Sequence, residues 1–175
     1  MINKKMLDAI NAQINAELYS AYLYLSMAAH FKTANLPGFA NWMTVQVQEE
    51  TMHAMKFYNY VLSRGGKVKL TAIDGPPITW KTPLDVFEYT YSHEQKVTGL
   101  INNLVNLAIA EKDHAANMFL QWFVNEQVEE EANADSLVQQ LTMAKDAPGA
   151  LLMIDRELAA RVFTPPAANA GGGAA

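Results

Sequence analysis

Glu50 and His53 stand three residues apart, a spacing that on a helix puts a carboxylate and an imidazole one turn apart on one face, where both can touch a single ion. Stepping alternately by three and four residues traces the stripe that a helix turns toward a core. Around this pair the stripe reads Phe39, Met43, Gln46, Glu50, His53, Phe57 and Tyr60. Three other segments behave in the same way. Leu7, Ile10, Ile14, Glu17, Ala21, Tyr24 and Ala28 are interrupted by one acid; Phe87, Tyr91, Glu94, Thr98, Ile101, Val105 and Ala108 by another. Leu120, Phe123, Gln127, Glu130, Ala134, Leu137 and Leu141 carry an amide and an acid. Burying several ionised carboxylates without a cation costs several kcal/mol each, so these acids either hold protons or bind metal. A pair of divalent cations resolves the conflict. Oxygen-rich coordination with one imidazole suits iron or manganese.

A weaker signal lies beside the first. Glu126 and Glu130 are one turn apart, Glu129 is on the adjoining face, and Glu49 neighbours Glu50. Such runs are usually solvated faces, but the grouping also fits a third, weaker cation site. Tyr24, one heptad beyond Glu17, reads either as plain core or as a hydrogen-bond donor and redox partner beside the metals.

These side chains need long helices to hold them. The first is expected over about Lys5 to Phe31, closing at Asn35-Leu36-Pro37-Gly38, and the second over about Phe39 to Arg64, with Gly65-Gly66 suited to a left-handed cap. Residues 67–81 contain Asp74-Gly75-Pro76-Pro77 and read as a long irregular connection able to cross the length of a bundle. Thr82-Pro83-Leu84-Asp85 opens the third helix, to about Glu111, with Thr as N-cap, Pro at the first position and an acid in the first turn. Asp113 caps a fourth, to about Lys145. A short fifth is expected over Ala150 to Val162. A helix of about 27 residues is roughly 40 Å long, and four of them make an all-α four-helix bundle.

Composition narrows the function. The 175 residues suit one domain, here residues 1–163, followed by a tail over 164–175 expected to be disordered. Thirteen basic against 18 acidic residues, a net charge of −5, argue against nucleic acid as a partner. Zero cysteines exclude thiolate zinc sites and Cys-ligated clusters. Neither a membrane-spanning run nor a signal-like start is legible, so a soluble cytoplasmic protein is expected.

Asn15-Ala16-Glu17-Leu18-Tyr19-Ser20-Ala21-Tyr22, Glu49-Glu50-Thr51-Met52-His53-Ala54, His93-Glu94 and Asn125-Glu126-Gln127-Val128-Glu129-Glu130-Glu131 resemble the ferritin family, specifically the haem-free ferritins of bacteria and archaea. The resemblance runs from Met6 to about Phe163. It implies that Glu17, Glu50 and His53 hold one iron, that Glu50 bridges to a second held with Glu94 and Glu130, and that Gln127 lines the second position. It further implies a third site of Glu49, Glu126, Glu129 and Glu130, with Tyr24 alongside. The fourth helix has Glu130 where bacterioferritins carry a second His, and Thr51 stands at the position of their haem methionine, so no haem is expected. Asp113-His114-Ala115-Ala116-Asn117 is less acidic than the animal heavy-chain pattern, so the likeness does not extend to a strongly negative three-fold iron pore.

The activity implied is oxidation of Fe(II) by O2 or peroxide, with ferric oxyhydroxide deposited in a hollow shell of 24 subunits. The fifth helix would sit at the four-fold axis. Three rivals stand beside it: a non-storage di-iron oxidase on the same bundle, a DNA-protecting mini-ferritin, and a metal-free structural bundle. Ligands on all four helices of one chain weigh against the mini-ferritin, which places its metals between subunits.

Overall fold

A computed structural model describes residues 1–165, which form five α-helices and no strand. These are α1 (Lys4–Thr33), α2 (Pro37–Ser63), α3 (Pro83–Ala110), α4 (His114–Met143) and α5 (Pro148–Leu158). The expected tail lies outside the described residues from 166 onward.

The helix ends follow local chemistry. Asn3 caps α1 by accepting from Met6 N, and Asp113 caps α4 by accepting from Ala116 N. At α3, Thr82 and Asp85 each accept from the other's backbone N–H, a complete capping box. Gly65, at φ 70°, takes the left-handed conformation expected after α2. The start of α2 is capped from elsewhere in the chain. Asp155 Oδ1, on α5, accepts from Gly38 N at 2.8 Å and Phe39 N at 3.0 Å. The close approach requires glycine, because a Cβ at Gly38 would lie 1.5 Å from the Asp155 carbonyl oxygen.

The last helix is displaced from the expected 150–162, and side-chain bonding explains its early end. Asn41 Nδ2 donates to the carbonyls of Leu158 at 3.1 Å, which a longer helix would have used, and of Arg161 at 2.9 Å, so the chain leaving α5 is held against α2.

The chain path is a crossover. Ile2 N donates to Arg64 O, so the end of α2 returns to the start of α1. The following loop then climbs α1: Asn11 meets Lys67 and Lys69, Asn15 meets Ala72, and Ser26 meets Pro77. Thus α3 starts beside the far end of α1 and descends it, as the pairs Thr90–Met27, Tyr24–Glu94 and Ser20–His93 record.

Two apolar clusters fill the bundle. One contains Phe31, Phe39, Phe87 and Leu141, the other Met6, Phe57, Leu120 and Phe123. Each fully buried phenylalanine contributes roughly 1.5–3 kcal/mol of hydrophobic stabilisation. Between the clusters lies a layer of buried polar residues that includes Glu17, Gln46, Glu50, His53, Glu94, Gln127 and Glu130. No helix of the described residues is long and apolar enough to cross a membrane.

Candidate metal centre

Glu17 of α1 and Glu50 and His53 of α2 meet midway along the antiparallel helix pair. One ligand atom from each lies within 4.8 Å of the other two, and all three residues are 1–2% exposed. Gln13 Nε2 donates to Glu17 Oε1 at 2.9 Å, leaving Glu17 Oε2 without a hydrogen-bond partner. His53 Nδ1 is 3.6 Å from Glu50 Oε2, and its Nε2 has no partner either. The imidazole is wedged edge-on against Trp122, at 5.4 Å, and Phe123, at 5.9 Å. Buried polar atoms almost always find partners, so the open Glu17 Oε2, in a close group with Glu50 and His53, marks a place where a ligand belongs. Carboxylate oxygens plus one imidazole nitrogen fit a divalent cation such as Fe(II).

Glu94 and Glu130 face the same layer from α3 and α4 but are held by other groups. Tyr24 donates its hydroxyl proton to Glu94 Oε1, and Gln127 Nε2 donates to Glu94 Oε2 at 3.2 Å. Gln46 Nε2 donates to Glu130 Oε2 at 2.9 Å. Neither acid belongs to the close group of Glu17, Glu50 and His53.

The acids nevertheless share one field. Burial, then the charge of Glu50, pushes Glu17 up to about 8. Burial followed by Glu130 pushes Glu94 up to about 8. Glu50 is raised well above the carboxylate range by burial, then by Glu94 and Glu130. Without a cation Glu17, Glu50 and Glu94 therefore favour their protonated forms at neutral pH, and an incoming metal must displace those protons. Tyr24 is raised well above its ordinary value by burial and by Glu94, so its phenol keeps its proton.

The outer acids lie apart. Glu49 is half-buried and pushed up to about 7, chiefly by burial; Arg161 opposes the shift and Glu130 adds to it. Its carboxylate is bound by Arg161 Nη2 at 2.7 Å. Glu126 is half-buried and raised by burial, while Glu129 is exposed. No close group among the described residues contains Glu49, Glu126 or Glu129.

Several supports were not singled out from sequence. Gln46 had a visible signal, an amide in the apolar stripe one turn before Glu50. Gln13 stands one turn before Glu17 but outside its stripe. His93 binds Ser20 Oγ through Nε2 at 2.8 Å and is lowered to about 4 by burial, so it is a neutral neighbour of Glu94. Nothing local distinguishes Arg161.

A buried Glu, Glu, His group between the apolar halves of a four-helix bundle has the donor set of the carboxylate-bundle class, able to hold a metal ion. The family model described as a ferritin-like domain matches residues 7–144, and the chain belongs to the ferritin family. A bacterial non-heme ferritin of Bacteroides fragilis is 47% identical over 161 residues, covering 92% of this chain and all of the relative. One from Staphylococcus aureus is 39% identical over 163 residues, covering 93% and 98%. An open-pore ferritin from the archaeon Archaeoglobus fulgidus superposes with a TM-score of 0.92 at 54% identity, covering 93% of this chain and 100% of that one. A closed form engineered from the same archaeal ferritin gives 0.93 at 54%, covering 94% and 100%.

Proposed function

We propose that this protein stores iron and oxidises it on entry, acting as a ferroxidase. The observation that carries the proposal is the group of Glu17, Glu50 and His53 in a buried layer, with Glu17 Oε2 left without a partner. The first Fe(II), a substrate, is held by these three residues. Glu50 bridges to a second held with Glu94 and Glu130, and Gln127 lines that position. Each Fe(II) loses one electron. O2 takes up two electrons and two protons and leaves as hydrogen peroxide; where peroxide is the oxidant, two electrons and two protons convert it to two waters. Displaced carboxyl protons are available for this uptake.

The chain's own work is to bind, orient and compensate charge. Gln13 fixes one oxygen of Glu17 and leaves the other for metal. Tyr24 and Gln127 each hold one oxygen of Glu94, orienting the carboxylate while a further lone pair on each oxygen remains for metal. The ferric product moves past a third site of Glu49, Glu126, Glu129 and Glu130 to an oxyhydroxide mineral inside a shell of 24 chains. A cytoplasmic setting fits the acidic, cysteine-free sequence. Solution mass tests the storage reading: a particle of 24 chains is expected, and a stable monomer or dimer that still oxidises iron would point to a non-storage oxidase.

A further inference from the structure

Beyond α5 the chain turns back along α2 as a short strap. Asn41 Nδ2 holds the carbonyl of Arg161 at 2.9 Å. The Arg161 guanidinium lies 4.5 Å from the centre of the Trp42 ring and donates from Nη1 to the Trp42 carbonyl at 3.3 Å. Its Nη2 reaches Glu49 Oε2 at 2.7 Å, across 112 residues of sequence. Phe163 lies with Val47, Thr51, Met52 and Met55 along the same groove. The guanidinium is thus fixed by ring, carbonyl and carboxylate together, unlike a surface ion pair held by two free side chains.

We propose that Arg161 is a built-in counter-cation for the third metal position, holding Glu49 until a divalent ion takes its place. This rests on the third-site reading given above. Glu49 is beside the bridging acid Glu50 and shares the field of Glu130, so a cation bound there meets the guanidinium at close range. Arginine does not deprotonate, so the competing charge is present at every physiological pH. Metal and Arg161 therefore compete for one carboxylate. The third position is kept weaker than the paired site, and filling it removes the Glu49 anchor of the strap around residues 159–163 and loosens it.

Coupling is reciprocal, which permits two independent readouts. Anaerobic Zn2+ titration of the assembled, iron-free protein by calorimetry should find a weak third ion per chain. In Arg161→Met, which removes the charge and retains an apolar stem, the third ion should bind on the order of tenfold tighter, with the first two unchanged. Glu49→Gln should lose the third ion. In the unaltered protein, hydrogen exchange of residues 159–163 should accelerate as the third Zn2+ binds, a measurement that needs no variant. Unchanged or slower exchange overturns the proposal. So does a third ion bound equally or more weakly in Arg161→Met while Glu49→Gln abolishes it, an outcome that leaves the third-site reading standing. If neither the parent nor Arg161→Met takes up a third ion, the third-site reading fails and the proposal with it.

Discussion

Gln46 Nε2 donates to Glu130 Oε2 at 2.9 Å, tying α2 to α4 across the polar layer. The bond holds an acid assigned to the second iron position by a residue four before Glu50. Gln46→Leu removes the donor and strands a buried carboxylate. In the metal-free protein this should cost about 1–3 kcal/mol, read as a lower Tm. Saturating Zn2+ should shrink the loss, because the ion replaces the missing partner. An equal loss with and without Zn2+ would separate Gln46 from the centre.

The metal-free protein should become less stable as pH rises. Glu17 and Glu94 are raised from 4.5 to about 8, so between those values the folded chain binds protons that the unfolded chain has released. Their stabilising contribution is complete below about 4.5 and lost as pH rises through 8. Thermal unfolding between pH 5 and 9 should show Tm falling toward pH 8 and then levelling. Bound Zn2+ should flatten the profile.

Metal uptake should release protons for the same reason. Calorimetry at pH 7 in buffers of different ionisation enthalpy should detect net release, diminishing by pH 9. Release that grows with pH would contradict protonated acids in the empty layer.

Replacing Glu50 and His53 together by alanine should slow Fe(II) oxidation on the order of a hundredfold or more, since altering even outer partners of metal ligands typically costs 10–100-fold. Stopped-flow absorbance after mixing anaerobic Fe(II)-loaded protein with oxygen provides the rate. Oxidation at the parent rate would remove these residues from the site.

Gly38→Ala should dislodge α5, because the new Cβ would sit 1.5 Å from the Asp155 carbonyl oxygen. A cost of at least about 1–3 kcal/mol is expected, with faster hydrogen exchange across α5. Asp155→Ala, which removes only the side-chain cap, should cost about 0.5–2 kcal/mol.

The four long helices and the acid or amide each buries were legible because a helix's periodicity is local: a carboxylate at a stripe position declares itself within two turns. Thr82 and Asp113 were legible as caps for the same reason, and Asp85 as a first-turn acid. The end of α5 was not, because Asn41, on another helix, takes the Leu158 carbonyl that ends it and the Arg161 carbonyl beyond it.

Sequence alone, then, determined that each long helix buries an acid and that Glu50 and His53 share a face; the α3 stripe was legible only in part, since Tyr91, Thr98 and Val105 are half-buried while Thr90, His93, Val97 and Leu104 are buried. Tertiary structure decided which side chains meet. Antiparallel packing of α1 on α2 brings Glu17 to Glu50 and His53, and the crossover loop sends α3 down α1 so that Tyr24 reaches Glu94. The strap beyond α5 decides that Glu49 faces Arg161, 112 residues away. Periodicity orients a side chain about its own helix axis, whereas partners across the bundle depend on how the connections run and how the apolar faces pack.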